Sequence, residues 1–179
     1  MKNRYSIWIL SVVLCFFVFS GVAMAASASE KTVRLTNAWP CYIDPAIAAD
    51  FASSVSVANL YDTLVFPTHD GEVIPHLAES WTISEDGLTY VFKLRSGVKF
   101  HDGSDLKAED VKFSMDRLLA IGQGYSYIFK PVIDSVEAND DYTVTFKLKK
   151  TFGPFLYSLV RLYVLNKDLV MANIEQNDE

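Results

Sequence analysis

The stretch His76-Leu77-Ala78-Glu79-Ser80-Trp81, continued by Ser84-Glu85-Asp86-Gly87-Leu88-Thr89-Tyr90-Val91-Phe92-Lys93-Leu94-Arg95, decides how this 179-residue chain is read. Tyr90, Phe92 and Leu94 alternate with Val91, Lys93 and Arg95, and Trp81 and Ile83 share one side of the preceding run. Successive strand side chains point to opposite faces, so both runs read as strands with one buried face. Glu85-Asp86-Gly87 supplies the turn between them, which makes a β-hairpin.

Downstream, Ser96-Gly97 and His101-Asp102-Gly103 are further turns. A helix is expected from about Leu106 to Ala120, with Ala108, Val111, Met115, Leu118 and Leu119 on one face. Glu109 and Asp110 fall in its first turn, where the helix dipole favours negative charge. Gly122-Gln123-Gly124 follows the helix and reads as its stop. A second hairpin is expected next. Val132, Asp134, Val136 and Ala138 occupy alternate positions, Asn139-Asp140-Asp141 turns, and Tyr142, Val144, Phe146 and Leu148 return on one face. Gly153-Pro154 opens an apolar stretch, Phe155 to Leu165, of helical or mixed character, and Glu175 to Glu179 form a polar, frayed end.

Upstream, Thr32 to Asn37 alternates as a first strand and runs into a loop holding Trp39-Pro40 and Asp44-Pro45. From Ser53 to Leu64 the period changes, and Val57, Leu60, Tyr61 and Leu64 predict an amphipathic helix that Pro67 and Asp70-Gly71 bring to an end. Strand, helix, hairpin, helix, hairpin, helix is a mixed α+β order with antiparallel pairing.

The start of the chain has a different character. Lys2 and Arg4 precede an apolar run, Ile7 to Phe19, and the small residues of Ala23-Met24-Ala25 close it. This is the pattern of a cleaved secretory signal peptide over residues 1–25, leaving 26–179 as the exported part. The competing reading is an uncleaved anchor, since roughly 20 apolar residues span a bilayer. The chain carries 16 basic and 22 acidic residues, a net charge of −6. Loss of Lys2 and Arg4 would take this to about −8. An acidic protein repels phosphate backbones, so nucleic acid is excluded as a partner. One cysteine, Cys41, lies beyond the leader and is expected to be a buried small apolar residue.

The signals for catalysis are weak. His69, Glu72 and His76 offer two imidazoles and a carboxylate to a metal, but their spacing is neither HxxxH nor HxH, and Gly71 and Pro75 make the segment a loop. No G-x-S-x-G elbow occurs, and Asp44, Asp50, Asp62 and Asp70 are scattered acids. No metal, cofactor or catalytic residue is therefore expected.

The segment from His76 to Arg95, followed by Ser96-Gly97-Val98-Lys99-Phe100-His101-Asp102-Gly103, Ala108-Glu109-Asp110-Val111-Lys112-Phe113-Ser114 and Arg117, closely resembles the signature region of the family 5 extracellular solute-binding proteins. These are the peptide, dipeptide, oligopeptide and nickel-binding components of ABC importers. Asn59-Leu60-Tyr61-Asp62-Thr63-Leu64-Val65 and Pro154-Phe155 match as well, so the resemblance covers nearly all of residues 31 to 170.

The resemblance implies the N-terminal portion of the first lobe of a type II periplasmic-binding-protein fold. The function it implies is a monomeric periplasmic or extracellular component that captures peptides or similar small solutes and delivers them to an ABC permease. The loop after the first strand is then expected to face the ligand, which makes Asn37, Ala38, Trp39 and Asp44 the candidate binding residues. For Trp39 a place in the core is the alternative.

Two features depart from the family. Lys107 stands where a capping Thr or Ser is usual, and losing such a cap costs roughly 1 kcal/mol; Asp105 would replace it if the helix began earlier. Members are also much longer, two lobes closing on the ligand, so the expectation is a truncated or split product or a piece of a longer chain. Two other functions stand beside the binding reading. One is a small exported metal-dependent enzyme using His69, Glu72 and His76. The other is a non-transporting interaction or sensory module built on half of the binding fold.

Overall fold

The structure, a computed structural model, describes residues 39–174. The leader over 1–25, the strand Thr32–Asn37, the candidate residues Asn37 and Ala38, and the polar end Glu175–Glu179 lie outside the described residues. The elements in chain order are α1 (Phe51–Leu60), β1 (Val65–Pro67), β2 (Val73–Pro75), β3 (Ala78–Ile83), β4 (Thr89–Leu94), α2 (Ala108–Ile121), α3 (Ser126–Phe129), β5 (Ile133–Asp140), β6 (Thr143–Leu148), α4 (Phe155–Ser158), a 3-10 turn Leu159–Arg161, and α5 (Lys167–Ile174).

Both expected hairpins form, and they join into one antiparallel sheet of order β3-β4-β6-β5. The register sets Trp81 opposite Phe92, Phe92 opposite Val144, Tyr90 opposite Phe146, and Val136 opposite Phe146. The apolar positions of all four strands therefore fall on one face, as period-two alternation requires. Phe92, Phe146 and Phe155 are fully buried, and Tyr90 nearly so. Their rings meet edge to face, Tyr90–Phe155 at 4.6 Å and Phe92–Phe146 at 5.5 Å, the arrangement favoured by the ring quadrupoles. Trp81 and Ile83 lie on the outer strand β3, so Trp81 is half-buried and Ile83 exposed.

Several local expectations are corrected. In β5 the register shifts between Ile133 and Ser135 and again between Ala138 and Asp140. A bulge inserts an extra residue and changes which positions face the core, so Val132, Ile133 and Val136 are buried while Asp134 is exposed. The strand runs on to Asp140, and the turn moves to Asp141-Tyr142, where Asp140 accepts the Tyr142 N–H at 2.8 Å. The first helix is shorter than Ser53–Leu64. Asp50 caps it by accepting the Ser53 N–H at 3.0 Å, and Tyr61 is already extended. Leu64 is buried just before β1, and Leu60 is exposed, so the apparent helical period spans two elements. The segment around Pro67 and Asp70-Gly71 is a small hairpin of β1 and β2, with Gly71 at φ 81° in its turn.

Helix α2 begins at Ala108, later than read, with Lys107 in the N-cap position. Asp105 does not cap it; its carboxylate pairs with Lys99 at 2.7 Å. Arg95 donates to the His76 carbonyl at 2.6 Å, and Asp102 holds Ser104 and Asn166. Asp110 closes the helix start by accepting the Lys107 N–H at 2.9 Å. A hydroxyl at 107 would accept a further N–H of the first turn. Lys107→Thr is therefore expected to raise the thermal unfolding midpoint by a few degrees, because the Lys107–Asp141 pair it removes is exposed and worth little. An unchanged or lowered midpoint in a calorimetric scan would count against this account of the helix start. At the other end, Gly122 adopts φ 70° and ends the helix as expected.

Candidate functional site

Helix α2 carries a polar stripe on its inner side. Asp110, Ser114 and Arg117 lie at helical spacing i, i+4 and i+7, hence on one face. The two carboxylate oxygens of Asp110 accept N–H groups from Lys107 and Lys167, each at 2.9 Å. Ser114 Oγ accepts the Leu165 N–H at 2.8 Å and donates to the Asp110 carbonyl at 2.6 Å. Arg117 donates through both terminal nitrogens to Asp44, at 2.7 and 2.6 Å. One helix face thus anchors both the loop before α1 and the segment that enters α5. Burial pushes the Asp110 carboxyl up, against the lowering effect of its two backbone donors. Burial also raises Asp44, but the Arg117 hydrogen bonds and charge and the Ala46 N–H outweigh it and hold Asp44 below its ordinary value.

These anchors hold an extended segment, Leu162–Leu165, against the residues entering β1. Thr63 pairs with Tyr163 in an antiparallel bridge, and the Val164 N–H reaches the Asp62 carbonyl at 2.9 Å. Beside this pairing opens a groove of about 470 Å³, within the usual size of small-ligand sites. Its walls are largely apolar: Ala58, Phe66, Pro67, Ile128, Phe152, Pro154 and Val160, with the rings of Tyr61, Tyr157 and Tyr163. Polar groups are few. His76 Nδ1 donates to the Thr63 carbonyl at 3.1 Å, which turns Nε2 toward Asp62, 3.6 Å away. Arg161 lies with its guanidinium carbon 5.0 Å from the centre of the Tyr125 ring. Burial pushes the Tyr61 and Tyr163 hydroxyls up, so both remain neutral at physiological pH. Tyr61 and Asp62 also border a smaller cavity, of about 190 Å³, closed by Leu77, Phe100, Leu165 and Leu169.

Two of the residues expected from sequence, Trp39 and Asp44, lie among the described residues. Trp39 is 91% exposed, which removes the core alternative. Asp44 is committed to Arg117. Neither lines the groove. Cys41 is exposed, contrary to the expectation that it is buried. His69 is exposed beside Asp70, while His76 faces the groove. Among the described residues, no group of three or more His, Cys, Asp or Glu side chains is placed to hold a metal ion. The groove residues Tyr61, Asp62, Phe152, Tyr157 and Arg161 come from segments far apart in the chain. The one hint in the sequence was the aromatic clustering around Gly153-Pro154.

Comparison with known proteins agrees with this architecture. The family described as bacterial extracellular solute-binding proteins, family 5, matches residues 72–177. The chain belongs to that family. It is 38% identical over 143 residues to the probable D,D-dipeptide-binding periplasmic protein DdpA of Escherichia coli, covering 77% of this chain and 28% of the relative. With di/tripeptide-binding protein 2 of Pseudomonas aeruginosa it shares 34% identity over 177 residues, covering 87% of this chain and 32% of the relative. Among solved structures it is similar to the ABC transporter-associated periplasmic binding protein DppA of Helicobacter pylori in complex with the peptide STSA. There the TM-score is 0.65 and the identity 37%, over 75% of this chain and 30% of that one. The solved neighbours are type II periplasmic binding proteins, and the fold described above is part of that fold. The chain spans under a third of the length of these relatives.

Proposed function

We propose that this chain is part of a solute-capturing component of an ABC importer that takes short peptides, works in the periplasm or outside the cell, and hands its cargo to a membrane permease. The observation that carries the reading is the groove of about 470 Å³ with mostly apolar walls and a few polar groups at its edges, in a chain whose family relatives include dipeptide- and tripeptide-binding proteins. Such a surface receives apolar side chains, and its few polar groups orient the main chain. Export by a cleaved leader over residues 1–25 and a monomeric state belong to the same proposal. Trp39, open to solvent, is proposed as a further flat surface for a ligand side chain, together with Asn37 and Ala38. Asp44 would act through its hold on Arg117. The protein binds its solute without transforming it.

Calorimetric titration of the intact protein with alanyl-phenylalanyl-alanine tests this. The expected result is one site per molecule with micromolar affinity or better. No heat with this peptide or with a mixed pool of di- and tripeptides would refute it.

A further inference from the structure

Three Asp-Gly pairs occur in the chain, Asp70-Gly71, Asp86-Gly87 and Asp102-Gly103, and each sits in a turn of the same build. The glycines have φ of 81°, 67° and 87°. Their N–H groups donate to the carbonyls of Thr68, Ser84 and Phe100 at 3.1, 2.9 and 2.9 Å. Two of the pairs share the tripeptide His-Asp-Gly, His69 to Gly71 and His101 to Gly103. The carboxylates differ. Asp86 accepts the Ser84 hydroxyl and the Leu88 N–H, at 2.5 and 3.0 Å. Asp102 accepts the Ser104 N–H and hydroxyl, at 2.9 and 2.6 Å, and the Asn166 side-chain amide at 2.8 Å. Among the described residues no hydrogen bond holds the Asp70 carboxylate. The Glu72 N–H, counterpart of the Ser104 N–H, is taken by Thr68 Oγ1 at 3.0 Å. His69 Nδ1 stands 3.5 Å from Asp70, longer than an ordinary hydrogen bond, and the Asp70 side chain is 88% exposed.

An aspartate before glycine closes readily on the next main-chain nitrogen, because no Cβ shields it. The glycine nitrogen attacks Cγ of the neutral acid, a Cγ–N bond forms, and the carboxyl hydroxyl leaves with the amide proton as water. Water then opens the succinimide. Breaking the Cγ–N bond restores aspartate, and breaking the bond between that nitrogen and the aspartate main-chain carbonyl carbon leaves isoaspartate, linked through Cγ. The water lost in the first step returns in the second, so no other reactant is needed. Hydrogen bonds to a carboxylate favour its charged form and fix its torsion, so they oppose ring closure. Those from Ser84 and Leu88 hold Asp86 below its ordinary value, and those from Ser104 and Asn166 do the same for Asp102. Asp70 lacks such bonds. We propose that Asp70-Gly71 is a modification site of the folded chain, isomerising to isoaspartate while hydrogen bonds protect Asp86 and Asp102. The product carries one more main-chain carbon in the turn joining β1 to β2, a hairpin whose Phe66 and Pro67 line the groove.

The test incubates the intact protein at physiological pH and temperature, once folded and once in concentrated urea. Isoaspartate at each site is then measured by peptide mapping with isoaspartyl methyltransferase labelling. In the folded protein Asp70 is expected to isomerise about tenfold faster than Asp86 or Asp102, since one hydrogen bond to a charged group amounts to roughly a tenfold change in rate. In urea the two His-Asp-Gly sites should react at similar rates, because the tripeptide is the same and the hydrogen bonds are gone. Ser104→Ala, with a thermal midpoint near wild type, should raise the rate at Asp102 and leave that at Asp70 unchanged. Should Ser104→Ala unfold, the comparison of folded and urea-treated wild type decides alone. Equal rates at the three sites in the folded protein overturn the proposal. So does a preference for Asp70 that persists undiminished in urea, which would place its cause in the local sequence, or a folded Ser104→Ala with no rise at Asp102.

Discussion

Asp110→Ala is expected to destabilise the protein by about 3 kcal/mol, since it removes the acceptor of two backbone N–H groups at a largely buried position. The Lys107 N–H begins α2 and the Lys167 N–H begins α5, so one carboxylate organises two helix starts. Asp110→Asn should restore little, because an amide offers one oxygen where two are needed. Burial raises the folded-state pKa of Asp110 above its unfolded value. Its contribution is therefore full below the unfolded pKa and declines as pH rises through the folded one. The deficit of Asp110→Ala should accordingly be wider near pH 3 than near pH 7. Urea unfolding at the two pH values measures both effects. A deficit under about 0.5 kcal/mol, the range of ordinary surface changes, would remove Asp110 from the account.

Phe92→Ala should cost about 3–5 kcal/mol, the usual range for deleting a fully buried aromatic ring. Phe92 stands on a central strand and touches both Trp81 and Phe146. Its loss opens the middle of the sheet's buried face, where neighbours on three strands would have to move to fill the space. Loss of near-ultraviolet aromatic dichroism together with a lowered denaturation midpoint is the expected signature. A variant as stable as wild type would mean that the ring cluster is not the centre of the core.

The two hairpins were legible because alternation over Tyr90-Phe92-Leu94 and Val144-Phe146-Leu148 is a local signal, and each strand buries one face. Alternation misled in β5, where the bulge at Asp134 is set by pairing with β6 and leaves no mark in composition. The first helix was overextended because Leu64 sits at helical spacing by coincidence and is buried by a different element. The family signature was read correctly, but the meaning of its polar residues was not. Asp110 looked like a complement to the helix dipole, and Ser114 and Arg117 had no stated role. Their partners, Lys167, Leu165 and Asp44, are 51 to 73 residues away. The groove was hidden for the same reason, since Tyr61, Tyr157 and Arg161 meet only after the segment Leu162–Leu165 folds back along Thr63. Expecting ligand contacts in the loop around Trp39 and Asp44 relied on the resemblance, and Asp44 proved to be an anchor for α2.

The central claim is that the groove beside Thr63–Tyr163 is where the solute lies. Tyr157 lines it, half exposed, with no side-chain hydrogen bond among the described residues, so a charged side chain there should spoil the surface and spare the fold. Titration of alanyl-phenylalanyl-alanine into intact wild-type protein and into Tyr157→Asp measures this directly. The account predicts binding by wild type and at least tenfold weaker binding by a variant with an unchanged thermal midpoint. Equal affinity in the two proteins would contradict it.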